Sequence, residues 1–298
     1  MAIRTILAPL SGGSSSEGAI ETACRLALRF GAHVDGLHVR ADPTDALPLL
    51  GQDISTPVAA ELIELAQREG EDNAIKARAV FDAAIARHGF PFRDKPLSAG
   101  QAAAGGTSAP LPSASWREEV GQAAAIVPQR ARLNDLVVLG QSGRVTEKPH
   151  SDTLDETVVH GGRPVLLAPA RALVPIGEIV AIAWNASPEA ARAVSGALPF
   201  LVEARAVHIL SVGKDDESLS DAELATYLGW HGIAAVAHHV SPIKGVKTGE
   251  ALLASARDQG ADLLVMGGYG HAPWREMIFG GATAQVVGSS RLPVLLSH

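Results

Sequence analysis

Short apolar runs recur along the chain and are separated by stretches with helical periodicity. Runs rich in Val, Ile and Leu without polar alternation are typical of strands that are covered on both faces of a parallel sheet. Between them, apolar residues recur every three to four positions, as at 188–202, where Ser187 is a suitable N-cap and Pro188 a suitable first helical residue. The alternation predicts a parallel α/β fold.

The second half shows this pattern most clearly. It predicts strands at 179–184, 207–212, 234–240, 262–266 and 293–297, and helices at 188–202, 220–230, 248–259 and within 267–289. Each predicted strand is joined to the next by a crossover that contains a helix, which indicates one doubly wound sheet.

The chain also contains an internal repeat. Three pairs of segments match, namely Asp135–Gly143 with Asp262–Gly270 (offset 127), Pro164–Ala168 with Pro293–Ser297 (offset 129), and Ile6–Ser11 with Val180–Asn185. A repeat of this length indicates two copies of one structural unit. We therefore predict two domains, at 1–170 and 177–298, with a proline-flanked linker near 168–175. Segments 41–57 and 96–115 lack periodicity and are predicted to be loops.

Glycines are regularly spaced after the fourth predicted strand of the second half. The motif runs Gly267-x2-Gly270-x9-Gly280-Gly281 and is followed by Thr283. Ligands of open parallel sheets bind beyond the carboxyl ends of the strands, where the strand order reverses. Glycines allow the backbone to approach a phosphate closely, and a helix N-terminus favours an anion. The same glycines are also explained if they only turn the chain, so the spacing alone leaves both interpretations open.

This spacing, the preceding strand and the closing segment at 293–295 together resemble the universal stress protein family. Nucleotide-binding members of that family carry G-x2-G-x9-G-[S/T] after strand 4. The resemblance covers both halves and implies two tandem doubly wound, Rossmann-like parallel-sheet domains with strand order 3-2-1-4-5. It also implies that the protein binds or senses ATP or another adenine nucleotide in a stress response.

The resemblance carries the family's site residues over to the second half. They are Asn185, Val212, Gly267, Gly270, Gly280, Gly281 and Thr283. Asn185 stands where nucleotide binders usually place an Asp, and Gly281 stands where a hydroxyl residue follows the last glycine. Thr283 is the nearest substitute for that hydroxyl. We therefore expect weaker binding than in a member with the full motif.

The first half departs further from the motif. Gly140 and Gly143 are kept, but Thr153 stands ten residues later, next to Asp152, which places an anion where a phosphate would lie. We expect a degenerate first site that is kept for pairing with the second half or for a different ligand.

The terminal strands of both halves, at 165–167 and 294–296, are apolar although each would be a sheet edge. Exposed apolar edge strands promote aggregation, so we expect another part of the protein to cover them. We therefore expect the halves to pack about a pseudo-twofold axis through these strands and the adjoining helices, as an internal pseudo-dimer. Pairing of two chains into a homodimer is a further expectation, because the family commonly dimerises.

The amino-acid composition limits the partners that the protein is expected to bind and the compartment in which it is expected to lie. The chain has 25 basic and 32 acidic residues, a net charge of −7 and no cluster of Lys and Arg, so nucleic acid is not an expected partner. Cys24 is the single cysteine, which excludes a cysteine metal cluster and favours the reducing cytoplasm. We predict no bound metal and, because no long apolar run is present, no membrane span.

Two other functions remain open. Ser11–Ser16 is similar to the S-G-G-x-D-S loop of ATP pyrophosphatases, although Ser15 replaces the acidic residue. An ATP hydrolase or a pyrophosphatase-like enzyme on the same sheet is therefore one alternative. Phosphoryl transfer needs a metal-binding carboxylate and positive charge. This crevice instead offers Asn185, with His271 and Arg275 nearby. The sequence therefore favours binding of a nucleotide over its turnover, and we expect weak ATPase activity at most. A nucleotide-free interaction module is the other alternative.

Overall fold

The computed structural model describes residues 2–44, 56–96, 112–141, 152–171, 175–212, 220–241, 245–268 and 281–298. The elements of the first half are β1 (Thr5–Pro9), α1 (Ser15–Phe30), β2 (His33–Arg40), α2 (Thr56–His88), β3 (Ser113–Val120), α3 (Ala123–Ala131), β4 (Leu136–Gly140), α4 (Asp152–His160) and β5 (Val165–Ala168). Those of the second half are β6 (Ile179–Ala183), α5 (Pro188–Leu201), β7 (Ala206–Val212), α6 (Asp221–Trp230), β8 (Ala235–Val240), α7 (Thr248–Asp258), β9 (Leu263–Gly267), α8 (Gly281–Ser289) and β10 (Val294–Ser297).

The strands form one ten-stranded sheet of order β3-β2-β1-β4-β5-β10-β9-β6-β7-β8. Among the described strands, every ladder within a half is parallel, and only β5 and β10 pair antiparallel. Each half therefore has the predicted strand order 3-2-1-4-5, and the predicted fold class is confirmed. The predicted contact between the two terminal strands is also confirmed by the β5–β10 ladder. Association of two chains stays a prediction.

The elements predicted for the second half match the structure to within a few residues, but two loop predictions were wrong at their ends. Ser113–Ser115 belong to β3 and pair in register with His33–Asp35 of β2, whereas the sequence pattern assigned them to a loop. The strand was missed because β3 lies at the edge of the sheet and five of its eight residues are Ser, Arg or Glu, so it lacks the apolar run of a central strand. Thr56 and Pro57 belong to α2 rather than to the loop at 41–57. Residues 45–55 and 97–111 lie outside the described residues.

An aspartate before the fourth strand of each half holds the beginning of that half's first strand. The carboxylate of Asp135 accepts the backbone N–H groups of Arg4 (2.8 Å) and Thr5 (3.1 Å). Asp262, which lies 127 positions later in the repeat, accepts the N–H of Gly177 (2.6 Å) and that of Ile179 (3.3 Å). Burial raises the pKa of Asp262. The two halves thus fix their central strands by the same contact.

Side chains from both halves pack at the junction on one face of the sheet. The rings of Phe30 and Phe200 stack edge to face, with 5.2 Å between their centroids. The Arg29 guanidinium lies over both rings, and it donates to the Glu203 carboxylate (2.8 Å) and to the carbonyl of Ile176 (2.5 Å). One α1 side chain therefore binds three parts of the second half.

Candidate functional site

The chain leaves the first strand of each half with the same backbone hydrogen bond. Leu10 donates its N–H to the Leu37 carbonyl (2.8 Å), and Trp184 donates its N–H to the Leu210 carbonyl (2.9 Å). These hydrogen bonds continue the β1–β2 and β6–β7 ladders by one residue. Leu10 and Trp184 therefore occupy equivalent positions.

The residues that follow these two positions lie just beyond the carboxyl end of each half's first strand. Continuing the strand register places Ser11 beside Val39 in the first half and Asn185 beside Val212 in the second. Gly267 ends β9, the strand that pairs with β6 on its other side. The structure thus brings Asn185, Val212 and Gly267 to one edge of the sheet, which is where the sequence motif placed them.

The first half contains a cavity of about 290 Å³ in this crevice, between β1 and β4. This position follows from the topology, because the helices after β1 and β4 leave the sheet on opposite faces where the strand order reverses. Its described lining residues are Pro9, Leu10, Ser11, Ser15, Ser16, Leu37, Val39, Ala123, Val127, Leu139, Gly140, Gln141, Thr153, Leu154, Leu167 and Val287. Val287 belongs to α8, so the second half supplies part of the wall.

The walls of this cavity are apolar with a few uncharged polar groups. Hydroxyls come from Ser11 after β1, from Ser15 and Ser16 in the first turn of α1 and from Thr153 of α4, and an amide comes from Gln141. None of the described lining residues carries a charged side chain. The volume lies near the lower bound of small-molecule sites. The arrangement suits a small ligand with an apolar body and a hydrogen-bonding edge.

In the second half, Asn185 is exposed and shapes the chain after β6. Its side-chain oxygen accepts the backbone N–H of Ser187 (3.2 Å), and Ala186 between them has a φ of 58°. The Ser187 hydroxyl in turn accepts the N–H of Ala190 (3.2 Å) and so caps α5. The side-chain NH2 group of Asn185 has no acceptor among the described hydrogen bonds. Val212 is half-buried and packs beside the apolar core.

The first glycine of each motif is required by packing. A Cβ placed on Gly267 would lie 2.5 Å from the backbone nitrogen of Ala190 in the first turn of α5. A Cβ on Gly140 would likewise collide with the Ser15 carbonyl oxygen in the first turn of α1. These contacts explain both glycines without a ligand, and the phosphate role of Gly267 stays a prediction.

The last predicted residues lie on α8, which begins at Gly281. Thr283 is buried, and its methyl group lies 3.7 Å from the position that a Cβ would take on Gly268, directly after β9. Thr283 is therefore next to the crevice, packed against its loop. Gly270 and Gly280 lie outside the described residues.

Sequence reasoning did not single out His38, which binds the backbone of Leu10 beside the first crevice. His38 is buried on β2, and its Nδ1 donates to the Leu10 carbonyl at 2.7 Å. This bond assigns the proton to Nδ1, since a carbonyl only accepts. Nε2 has no hydrogen-bond partner in the described part of the chain. The only sequence signal was an imidazole between two apolar residues, Leu37 and Val39.

A pair of histidines lies on the outer strands of the second half. Nδ1 of His208 and Nε2 of His238 are 2.9 Å apart. Burial and the neighbouring His238 lower the pKa of His208. Within the described ranges no group of three or more His, Cys, Asp or Glu side chains is placed to hold a metal ion. No described helix is both long and apolar enough to cross a membrane.

Comparisons with known proteins agree with this architecture. The model of the universal stress protein family matches residues 2–166 and again residues 178–298. No protein with curated annotation matches the sequence.

Several solved structures share the fold. A universal stress protein from Archaeoglobus fulgidus DSM 4304 is 16% identical, with 98% of this chain and 97% of that chain covered and a TM-score of 0.67. A protein of unknown function from Pseudomonas aeruginosa PAO1 is 14% identical over 99% of this chain and 92% of its own, with a TM-score of 0.54. A universal stress protein solved in complex with cAMP is 14% identical, covers 57% of this chain and 99% of its own, and has a TM-score of 0.32. At these identities the two structures with TM-scores above 0.5 show a shared fold and nothing finer.

Proposed function

The chain belongs to the universal stress protein family, and from that premise we propose that it is a non-catalytic adenine-nucleotide-binding module. The nucleotide lies at the carboxyl edge of β6, β7 and β9, with its base near Asn185 and Val212. Its phosphates lie over Gly270, Gly280 and Gly281. This function would make the protein a sensor or a store of the nucleotide in a stress response.

One observation carries the proposal: the equivalent crevice of the first half is a cavity of ligand size. Ser11 and Val39 line it, and the strand register makes them the counterparts of Asn185 and Val212. The topology therefore leaves room for a ligand at this position, and the glycine motif stands in the second half only. The combination supports a nucleotide there rather than in the first half.

Asn185→Asp tests the nucleotide site directly. The carboxylate keeps the acceptor for the Ser187 N–H and adds the charge that nucleotide binders of the family usually carry. Hydrogen bonds to a charged group contribute about 1.5–3 kcal/mol, so we expect ATP to bind about tenfold or more tightly. Isothermal titration calorimetry with ATP and AMP measures the affinity and the stoichiometry.

Ser11→Asp is the matched control, because Ser11 holds the equivalent position of the first half. We expect one ATP per chain and no change of affinity in this variant. A change of ATP affinity in Ser11→Asp without a change in Asn185→Asp would indicate that the nucleotide binds in the first half. Phosphate release from ATP at a substantial rate would favour the hydrolase alternative, and no detectable binding would favour the interaction module.

The first-half cavity favours a second function, the binding of a small uncharged ligand. Its described lining offers hydroxyl and amide groups but no charged side chain. Ala123→Phe would fill part of the cavity from α3. Native mass spectrometry of gently purified protein should show a bound small molecule that this variant loses and Asn185→Ala keeps. A wild-type chain without any bound molecule would contradict this second function.

A further inference from the structure

Gln141 joins the first-half cavity to a helix of the other half. It follows β4 and lines the cavity, and its side-chain Nε2 donates to the Val287 carbonyl at 2.7 Å. Its backbone N–H donates to the Ala168 carbonyl (2.7 Å), which fixes the residue at the end of the β4–β5 ladder. The backbone of Gln141 is therefore held at the end of the ladder, and its side-chain amide reaches across the junction to the second half.

The Val287 carbonyl needs this partner. The last four carbonyls of a helix have no partner within the helix, and α8 ends at Ser289. Val286 has its carbonyl satisfied by the N–H of Ser290 (2.8 Å). Gln141 satisfies the next carbonyl and so caps α8 from the first half. Because α8 has only nine residues, its own hydrogen bonds give it little independent stability.

The other end of α8 borders the nucleotide crevice of the second half. Thr283 packs beside Gly268, and Gln285 accepts the N–H of Gly249 on α7 (3.1 Å). Because α8 has little stability of its own, its order at Thr283 depends on the contacts at Val287. The helix α8 thus connects the Gln141 contact at its C-terminal end with the crevice at its N-terminal end.

The contact is not reciprocal. Gly268 is the repeat counterpart of Gln141 and makes the equivalent backbone hydrogen bond, to the Ser297 carbonyl at 2.9 Å. It has no side chain that could cap α4. Instead, Arg132 of the same half donates to the last carbonyl of α4, that of His160, at 3.3 and 3.4 Å. In the described contacts of these two helices, α8 alone is capped from across the junction, and the capping residue also lines a cavity.

We propose that Gln141 couples the first-half cavity to the nucleotide crevice of the second half by capping α8 across the junction. A ligand in the cavity whose acceptor lies away from α8 turns the Gln141 side chain toward itself, breaks its hydrogen bond to the Val287 carbonyl and releases the end of α8. Occupancy of the first crevice then alters nucleotide affinity in the second. This inference rests on the proposed nucleotide site, and Gln141 acts in it as a positioning residue.

Gln141→Glu tests the cap, because it keeps the size of the side chain but replaces the donor with a carboxylate that repels the carbonyl. We expect ATP to bind about fivefold or more weakly, as is typical of coupled sites, and the amides of 284–289 to exchange their hydrogens faster. Gln141→Lys restores a donor and should recover much of both. Arg132→Met removes the cap of the counterpart helix and should speed exchange in α4 without changing ATP affinity.

Ala123→Phe in the wild-type and Gln141→Glu backgrounds tests the link to the cavity. We expect the cavity-filling side chain to change ATP affinity in the wild type and to have no further effect once the cap is gone. Equal ATP affinities in wild type and Gln141→Glu, or equal effects of Ala123→Phe in both backgrounds, would overturn the coupling. A wild-type chain that binds no ATP defeats the nucleotide proposal alone, since exchange in α8 still reports the cap. Unchanged exchange in Gln141→Glu would then overturn the cap as well.

Discussion

Leu166 and Leu295 lie directly opposite each other in the antiparallel β5–β10 ladder. They are also each other's counterparts in the repeat, 129 positions apart, so the pseudo-twofold axis passes between them. Both side chains are fully buried. The pairing turns two sheet edges into the centre of one continuous sheet.

Leu166→Ala and Leu295→Ala should therefore destabilise the protein by similar amounts. Truncating a buried Leu removes apolar burial and leaves a cavity, which costs about 2–5 kcal/mol. Urea denaturation measures the free energy of unfolding. Leu133→Ala is the control, because Leu133 is 78% exposed and should change stability by less than about 0.5 kcal/mol. A large effect of one junction leucine without the other would contradict the symmetric packing.

Arg29→Met should weaken the junction between the halves. The substitution keeps an apolar stem over Phe30 and Phe200 but removes the hydrogen bonds to Glu203 and to the Ile176 carbonyl. Hydrogen bonds to charged groups contribute about 1.5–3 kcal/mol, so we expect a loss of about 2 kcal/mol in thermal or urea unfolding.

Arg68→Met is the matched control for the junction arginine. Arg68 pairs with Glu64 on the exposed part of α2, and exposed pairs of this kind contribute about 0.5 kcal/mol or less. Equal effects of the two substitutions would argue against a specific role of Arg29.

The close approach of Gly267 to α5 and of Gly140 to α1 predicts that Ala is not tolerated at either position. A Cβ at each site meets backbone atoms, which cannot move aside without shifting a helix. Overpacking of this kind costs about 1–3 kcal/mol. Gly229→Ala on α6 should instead be neutral or stabilising, because no described atom lies within 4 Å of its Cβ position and Ala favours helix. Circular dichroism melting curves of the three variants test the contrast.

His208 should make stability fall at mildly acidic pH. Its pKa in the folded protein is lowered by burial and by His238, so the unfolded chain binds a proton more readily. The stability from neutral His208 is present above the ordinary histidine pKa of about 6.5 and is lost as pH falls below it. Urea unfolding of wild type and His208→Gln at pH 8 and at pH 5 should show a smaller loss in the variant. A parallel loss in both proteins would contradict a role for this pair.

Cys24 should be inert while the protein is folded. It is fully buried on α1, and burial together with the charge of Glu21 raises its pKa to about 12. Reaction of thiols proceeds through the thiolate, so a disulfide reagent at pH 8 should label the chain only after unfolding in guanidinium. Rapid labelling of the native protein would show that α1 opens readily.

Local pattern was sufficient for most of the fold. The alternation of apolar runs with helical periodicity predicted the elements of the second half, the family resemblance implied the strand order of both halves, and the apolar terminal strands predicted that the halves pack through them. The pattern failed at Ser113–Ser115, because this part of the edge strand β3 consists of small residues and lacks the Val, Ile and Leu of a central strand.

The site was only partly accessible from sequence. The order of the strands was enough to place Asn185, Val212 and Gly267 at one edge. The packing reason for Gly267 needed the position of α5, because the atoms that exclude a Cβ belong to residues almost eighty positions earlier in the chain.

The amino-acid sequence by itself determined the two-fold repetition and the parallel α/β class, because each follows from periodicities of a few residues or from segments that match one another. Only the tertiary structure decided that Gln141 caps α8, that Arg29 holds the second half and that the first half contains the cavity. These contacts join residues 146 to 174 positions apart. Such partners are set by how the two halves pack across β5 and β10, and no short-range pattern in either segment encodes them.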